Sequence, residues 1–163
     1  DTVLFRSPTC TETDKEMAHK LAEIAGVDIE SYGLDMLKAG ADISDLTNDD
    51  IVRTDMKEFS MNGIHMAIAQ INTVDVAGVL SKQVDLEKTM KEINKNANYS
   101  MFILVITDII KSGSFAIVVG DFPELVERAF SVKLENNTAW LEGVVSRKKQ
   151  VVPFLMAASQ SLE

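Results

Sequence analysis

The densest chemistry in the sequence is Ser146-Arg147-Lys148-Lys149-Gln150, three adjacent cations in a chain whose net charge is −9. An arginine offers a planar fork that fits two phosphate oxygens, and a lysine offers a movable point charge. Together they could clamp a polyphosphate and neutralise charge that builds up during transfer. The run falls between a strand-like segment and a helical one, so backbone amides near the helix start could face the same anion. By pattern alone the stronger reading is plainer, a solvated charge run on a surface turn. Lys57 is a second candidate, standing where a short helix gives way to a hairpin. A lone lysine beside a strand is ordinarily solvent decoration. Asp1 is a third. An aspartate at the end of a strand is a common metal ligand in α/β proteins and an equally common loop starter.

The rest of the composition narrows the chemistry. Two histidines and one cysteine do not make a zinc site of the usual Cys/His spacing, so a metal would need carboxylates or ligands from elsewhere. There is no glycine-rich phosphate loop of the Walker or dinucleotide type. Nothing suggests a Ser/His/Asp order. The acidic balance opposes nucleic acid and anionic membrane as partners. The longest apolar runs, 101–106 and 115–119, are too short to cross a bilayer. The start has no basic n-region of a secretory signal. The single Cys10 excludes an internal disulfide, fits a reducing cytoplasm, and reads as packed rather than nucleophilic. Asp108 reads as a turn cap or a site residue, and Asn136-Asn137 as turn chemistry.

These residues need elements to hold them. Thr2 to Phe5 reads as the end of a buried strand, broken by Ser7-Pro8. Thr11 with Asp14 forms a capping-box pair for a helix carrying Met17, Leu21 and Ile24, stopped by Gly26. A second helix is expected over 29–39, and Thr47-Asn48-Asp49-Asp50 opens a short helical turn. Asn62-Gly63 between 57–61 and 64–71 is a strong hairpin signal. Residues 73–96 read as one long amphipathic helix with a stripe of Val79, Leu86, Met90, Ile93 and Ala97, and Glu87 to Lys91 as an ion pair on its wet face. Strands are expected over 101–106 and 115–119, joined by a turn at Lys111-Ser112-Gly113-Ser114. Pro123 opens a helix to about Phe130, 139–145 reads as a strand, and 151–158 as a helix with Pro153 in its first turn. Strands and helices mixed in this way imply an α/β domain, a mixed β-sheet flanked by helices.

Read together, several phrases resemble one family. Asp1 to Thr9 resembles the end of the N-terminal domain of the family II (manganese-dependent) inorganic pyrophosphatases, members of the DHH phosphoesterase superfamily. Leu21 to Gly26 resembles their linker. Ala69 to Asp75, Val105 to Asp108 and Leu134 to Asn137 resemble their C-terminal domain, and Ser146 to Gln150 with Val151-Val152-Pro153 matches its substrate motif. The resemblance implies a two-domain cytoplasmic enzyme, with residues 1–31 the tail of the DHH domain and linker and 32–160 the C-terminal substrate-binding domain. It implies Arg147 and Lys148 as the substrate-binding pair, Lys57 as a further pyrophosphate ligand and Asp1 as an aspartate metal ligand. It implies Mn²⁺ or Co²⁺ held by an N-terminal DHH domain, with Mg²⁺ accompanying the substrate. Metal-activated water would then attack pyrophosphate. The upstream metal motifs are absent from this sequence. The opening without methionine and the closing Leu162-Glu163, resembling a cloning scar at 162–163, lead us to expect a part of a longer protein, inactive by itself. The parent is expected to be a homodimer held by its other domain, and this part a monomer. An exopolyphosphatase of the same superfamily, a phosphate- or nucleotide-sensing module, and a purely structural domain remain as alternatives.

Overall fold

The computed structural model describes residues 4–160. The chain divides into two compact units, one running to Asp42 and the other from Ile43.

The first unit is a pair of helices. Helix α1 (Glu12–Ala25) starts at Thr11, whose hydroxyl accepts the Asp14 amide while the Asp14 carboxylate accepts the Thr11 amide at 2.8 Å. This reciprocal pair satisfies donors that an open helix end leaves bare. Gly26, at φ 67°, turns the chain into the left-handed region and ends the helix. Helix α2 (Ile29–Gly40) is capped by the Asp28 carboxylate, which accepts the Ser31 amide. The strand expected over 2–5 is not found in the part that is described: Leu4 and Phe5 lie in a turn at φ 51° and 66°. An apolar run becomes a strand only when another strand satisfies its amides and carbonyls, and no strand lies among the described residues of this unit. Phe5 instead stacks on His19.

The second unit is an α/β layer structure, as expected. A five-stranded mixed sheet runs in chain order: β1 (Lys57–Met61), β2 (Ile64–Thr73), β3 (Met101–Asp108), β4 (Gly113–Gly120) and β5 (Thr138–Leu141). Only β2 and β3 pair in parallel. Asn62 and Gly63 have φ of 47° and 80°, so the β1–β2 hairpin closes through two left-handed residues, as the Asn-Gly pair predicts.

Alternation along the strands makes two cores. Met66, Ile68, Ile103 and Val105 face one side with Ala116 and Val118; there Leu125 of α6 (Pro123–Phe130) and Leu155 of α7 (Val152–Ser159) cover them. Ala67, Ala69, Phe102, Leu104 and Ile106 face the other side, covered by Ile51 and Val52 of α3 (Asn48–Arg53) and by Leu86 and Met90 of α5 (Gln83–Ala97). A sheet buried on both faces explains why β3 reads as an unbroken apolar run.

The long helix expected over 73–96 is two helices. Thr73 ends β2, α4 (Val76–Leu80) follows, and α5 begins at Gln83. Asp75 caps α4 through the Gly78 amide, and the Ser81 hydroxyl donates to the Gly78 carbonyl, which ends the helix after one turn and a half. Val79, Leu86, Met90 and Ile93 are buried as the stripe predicts, whereas Ala97 is exposed. The Glu87–Lys91 pair does not form. The Glu87 carboxylate accepts instead from the Gln83 and Asn137 amides at 2.7 and 3.2 Å. The segment expected as a strand over 139–145 is strand only to Leu141, after which Glu142 and Gly143 turn, with Gly143 at φ 69°.

Candidate functional site

The basic motif is itself a single wide turn of π type, Arg147–Val151, that runs without a break into α7. The Gln150 and Val151 amides both donate to the Ser146 carbonyl, at 3.0 and 3.2 Å. Such i→i+5 turns are rare and recur at functional sites. The Ser146 hydroxyl caps the turn by accepting the Lys149 amide.

Two glutamines fasten this loop. Gln150 folds back so that its carbonyl oxygen accepts the Val145 and Ser146 amides at 2.9 and 3.0 Å, while its Nε2 donates to the Gly143 carbonyl. Gln70, in the middle of the buried sheet, accepts the Arg147 amide at 3.1 Å and donates to the Val145 carbonyl and the Thr107 hydroxyl. Thr107 in turn bonds Ser114, whose hydroxyl reaches the Val144 carbonyl at 2.6 Å. A polar chain therefore joins β2, β3, β4 and the loop. Each buried donor and acceptor in it has a partner, which rigidifies rather than weakens the sheet at this point.

The three cations then diverge. Arg147 is buried, with its side chain 7% exposed. Its Nη1 donates to the main-chain carbonyls of Asp55 and Ile68, and its Nη2 lies 2.9 Å from the Asp55 carboxylate. A guanidinium removed from water needs partners of this kind. Lys148 and Lys149 are exposed, and so is Lys57 at the start of β1. Among the described residues none of the three lysines is paired to a carboxylate.

The arginine bonds bring distant segments together. Lys57 is the register partner of Ile68, whose carbonyl Arg147 holds, and it follows Asp55 by two residues. Arg147 and the Lys57 segment thus meet at one edge of the sheet. Strand β1 is further fixed by Glu58, which accepts the Tyr99 hydroxyl at 2.5 Å. Burial, then that bond, pushes the Tyr99 hydroxyl up to about 12. Asp108 is a turn cap: its buried carboxylate accepts the Ile110 and Lys111 amides. Asn136 and Asn137 form a left-handed turn, at φ 50° and 61°.

Asp1 lies outside the described residues. Among the described residues no three His, Cys, Asp or Glu side chains cluster closely enough to hold a metal ion. These residues therefore do not fit a resident metal by themselves.

The sequence left Asp55 and Thr107 without a role and quoted Gln70 only as part of a phrase. Gln70 had a visible signal, an amide side chain inside an apolar strand. Asp55 had none.

The DHHA2 domain family matches residues 34–158. The chain belongs to the DHHA2 family. This DHHA2 chain is 52% identical over 158 residues to the manganese-dependent inorganic pyrophosphatase of Bacillus subtilis, covering 97% of this chain and 51% of that protein. It is 54% identical to a Bacillus pumilus protein assigned to the same activity, over the same shares. A crystal structure of a Methanococcus jannaschii protein assigned to the family II inorganic pyrophosphatases superposes with a TM-score of 0.85 at 49% identity, covering 98% of this chain and 52% of that one. The expected fold and family resemblance are borne out. The DHHA2 chain spans about half the length of the curated relatives it matches.

Proposed function

We propose that this DHHA2 domain is the substrate-binding half of a manganese-dependent inorganic pyrophosphatase, which hydrolyses pyrophosphate to two phosphates. The observation that carries this reading is the fastening of the Arg147–Lys148 turn beside the Lys57 segment, through bonds from Arg147 to the main-chain carbonyls of Asp55 and Ile68. Three cations on one edge of an acidic protein suit a short, highly charged anion. Lys57 and Lys148 stand exposed for it, and Arg147 sits on a scaffold that limits where its charge can go. Held in place before substrate arrives, such charges stabilise negative charge as it develops and align the anhydride. The expected division is residues 1–31 as the tail of an upstream DHH domain and linker, and 32–160 as the substrate domain; the 34–158 match begins beside that boundary, whereas the two compact units divide after Asp42. Mn²⁺ is the metal that the relatives' names support, with Co²⁺ as a substitute and Mg²⁺ with the substrate. Its ligands lie in the upstream domain, with Asp1 among them. The setting is cytoplasmic, which an unpaired Cys10 suits, and no described helix is long and apolar enough to cross a membrane.

The first test is phosphate release by the full-length protein with Mn²⁺, comparing pyrophosphate with long-chain polyphosphate at matched phosphate content. Fast turnover of pyrophosphate and little of the polymer is expected. Preference for the polymer moves the protein to the exopolyphosphatases. In the same assay Arg147→Ala is expected to lower turnover by about 10²-fold, the usual loss when one preorganised charge donor is removed. Unchanged kinetics would remove Arg147 from the site.

A further inference from the structure

Resting on that reading, we propose that Asp55 is a built-in competitor for the substrate: its carboxylate occupies the edge of the Arg147 guanidinium that pyrophosphate must take, and binding is an exchange of one anion for another.

The two ends of the guanidinium are held differently. Nη1 is bonded to two main-chain carbonyls, of Asp55 and Ile68, which belong to the turn and strand and do not leave. Nη2 is 2.9 Å from a side-chain carboxylate. That carboxylate belongs to a residue whose side chain is 56% exposed, against 7% for its partner. Asp55 therefore lies between the buried cation and solvent. An incoming anion meets it first.

The competition is one that a phosphate anion wins. Solvent screens the Asp55 side of the pair, so it is weaker than a pair buried on both sides. Pyrophosphate brings several charged oxygens to the same fork, with Lys148 beside it in the loop and Lys57 two residues beyond Asp55. A single-charged anion lacks that advantage, so the exchange discriminates against weaker ligands such as chloride or a carboxylic acid. Asp55 sits at φ 45°, in the turn between α3 and β1, a left-handed conformation that Asp and Asn tolerate better than other side chains. Release of the carboxylate needs rotation of one side chain and leaves both Nη1 bonds in place. The buried cation thus keeps partners in the resting state and in the loaded one. Asp55 is a positioning residue that acts through Arg147.

The test is a double-mutant cycle in the full-length enzyme, reading KM and kcat for pyrophosphate and the melting temperature of each variant. Asp55→Asn keeps the shape and the left-handed turn and removes the charge. It is expected to lower KM by about threefold or more, the strength of the pair it breaks, with kcat changed less than about twofold. In an Arg147→Ala background the same substitution is expected to leave KM unchanged, because the competitor then has nothing to occupy. An equal fall of KM in both backgrounds overturns the proposal in favour of a general effect of removing one negative charge. A KM that stays the same or rises in Asp55→Asn, with or without a lower melting temperature, overturns it in favour of a purely structural ion pair. If the unaltered enzyme does not hydrolyse pyrophosphate, the functional reading fails and the exchange fails with it. An active enzyme with an unresponsive KM sinks the exchange alone.

Discussion

Helices α1 and α3 open with the same device and are used differently. Each begins at a threonine whose hydroxyl accepts an amide three residues on, while an aspartate there accepts the threonine amide in return. Helix α3 then buries Ile51 and Val52 completely against the sheet. Helix α1 buries none of its residues within the described chain: Leu21 is 62% exposed and Ile24 83%. Its apolar side chains line an open groove of about 650 Å³ with Tyr32, Met36 and Leu37 of α2. A cap makes a helix start; a covered apolar face makes it part of a cooperative structure. The first unit is specified by local signals, and the second by those signals and a core that agrees with them.

The sharpest way to break this comparison is to remove apolar bulk from each unit. Phe102→Ala, in the middle of β3 with no exposed surface, is expected to cost about 3–5 kcal/mol in urea unfolding. Leu21→Ala is expected to change the same transition by less than about 0.5 kcal/mol. Comparable losses would mean that α1 belongs to the same cooperative core. A smaller contrast comes from the caps. Thr47→Ala is expected to lower global stability by about 1 kcal/mol, since α3 carries core residues, whereas Thr11→Ala should loosen the first turn of α1 and leave the main melting transition in place. Amide exchange resolves the two. Smallest is the effect of acid. Hydrogen bonds from the Thr11 amide and hydroxyl hold Asp14 below its ordinary 3.8, and those from the Thr47 hydroxyl and amide do the same for Asp50. A depressed carboxyl stabilises the fold above its unfolded value and loses that contribution as pH falls through the folded value. Both caps are therefore expected to open below pH 3.8, seen as lost protection of the Thr11 and Thr47 amides, which the Asp14 and Asp50 carboxylates accept, while the β3 amides stay protected. Simultaneous loss of β3 protection would show that the caps and the core are one unit.

What could be read from the sequence follows the same division. The Thr11 and Thr47 caps, Gly26, Asn62-Gly63 and Pro123 carry their meaning within a few residues, and each is found where its local chemistry put it. The stripe from Val79 to Ile93 was legible as a buried face, but the break at Ser81 was not, because the stripe keeps helical phase across it. Glu87 was lost to Gln83 and to Asn137, fifty residues away. The cations of the basic motif were plain in the sequence; what holds them was not. Gln70 is 77 residues from Arg147 and Asp55 is 92, and no pattern in one dimension joins them.

That separation has a consequence for how the molecule is made. Strands β1 to β4 span Lys57 to Gly120 and can pair as soon as they leave the ribosome. Arg147 emerges 27 residues after Gly120, so through all of that interval the sheet edge at Asp55 and Ile68 stands without the cation that will occupy it. Contacts that close so long a stretch of chain form late. A nascent chain halted before residue 147 would carry most of a sheet and none of the basic turn, and the edge at Asp55 would gain its cation only once α7 had docked.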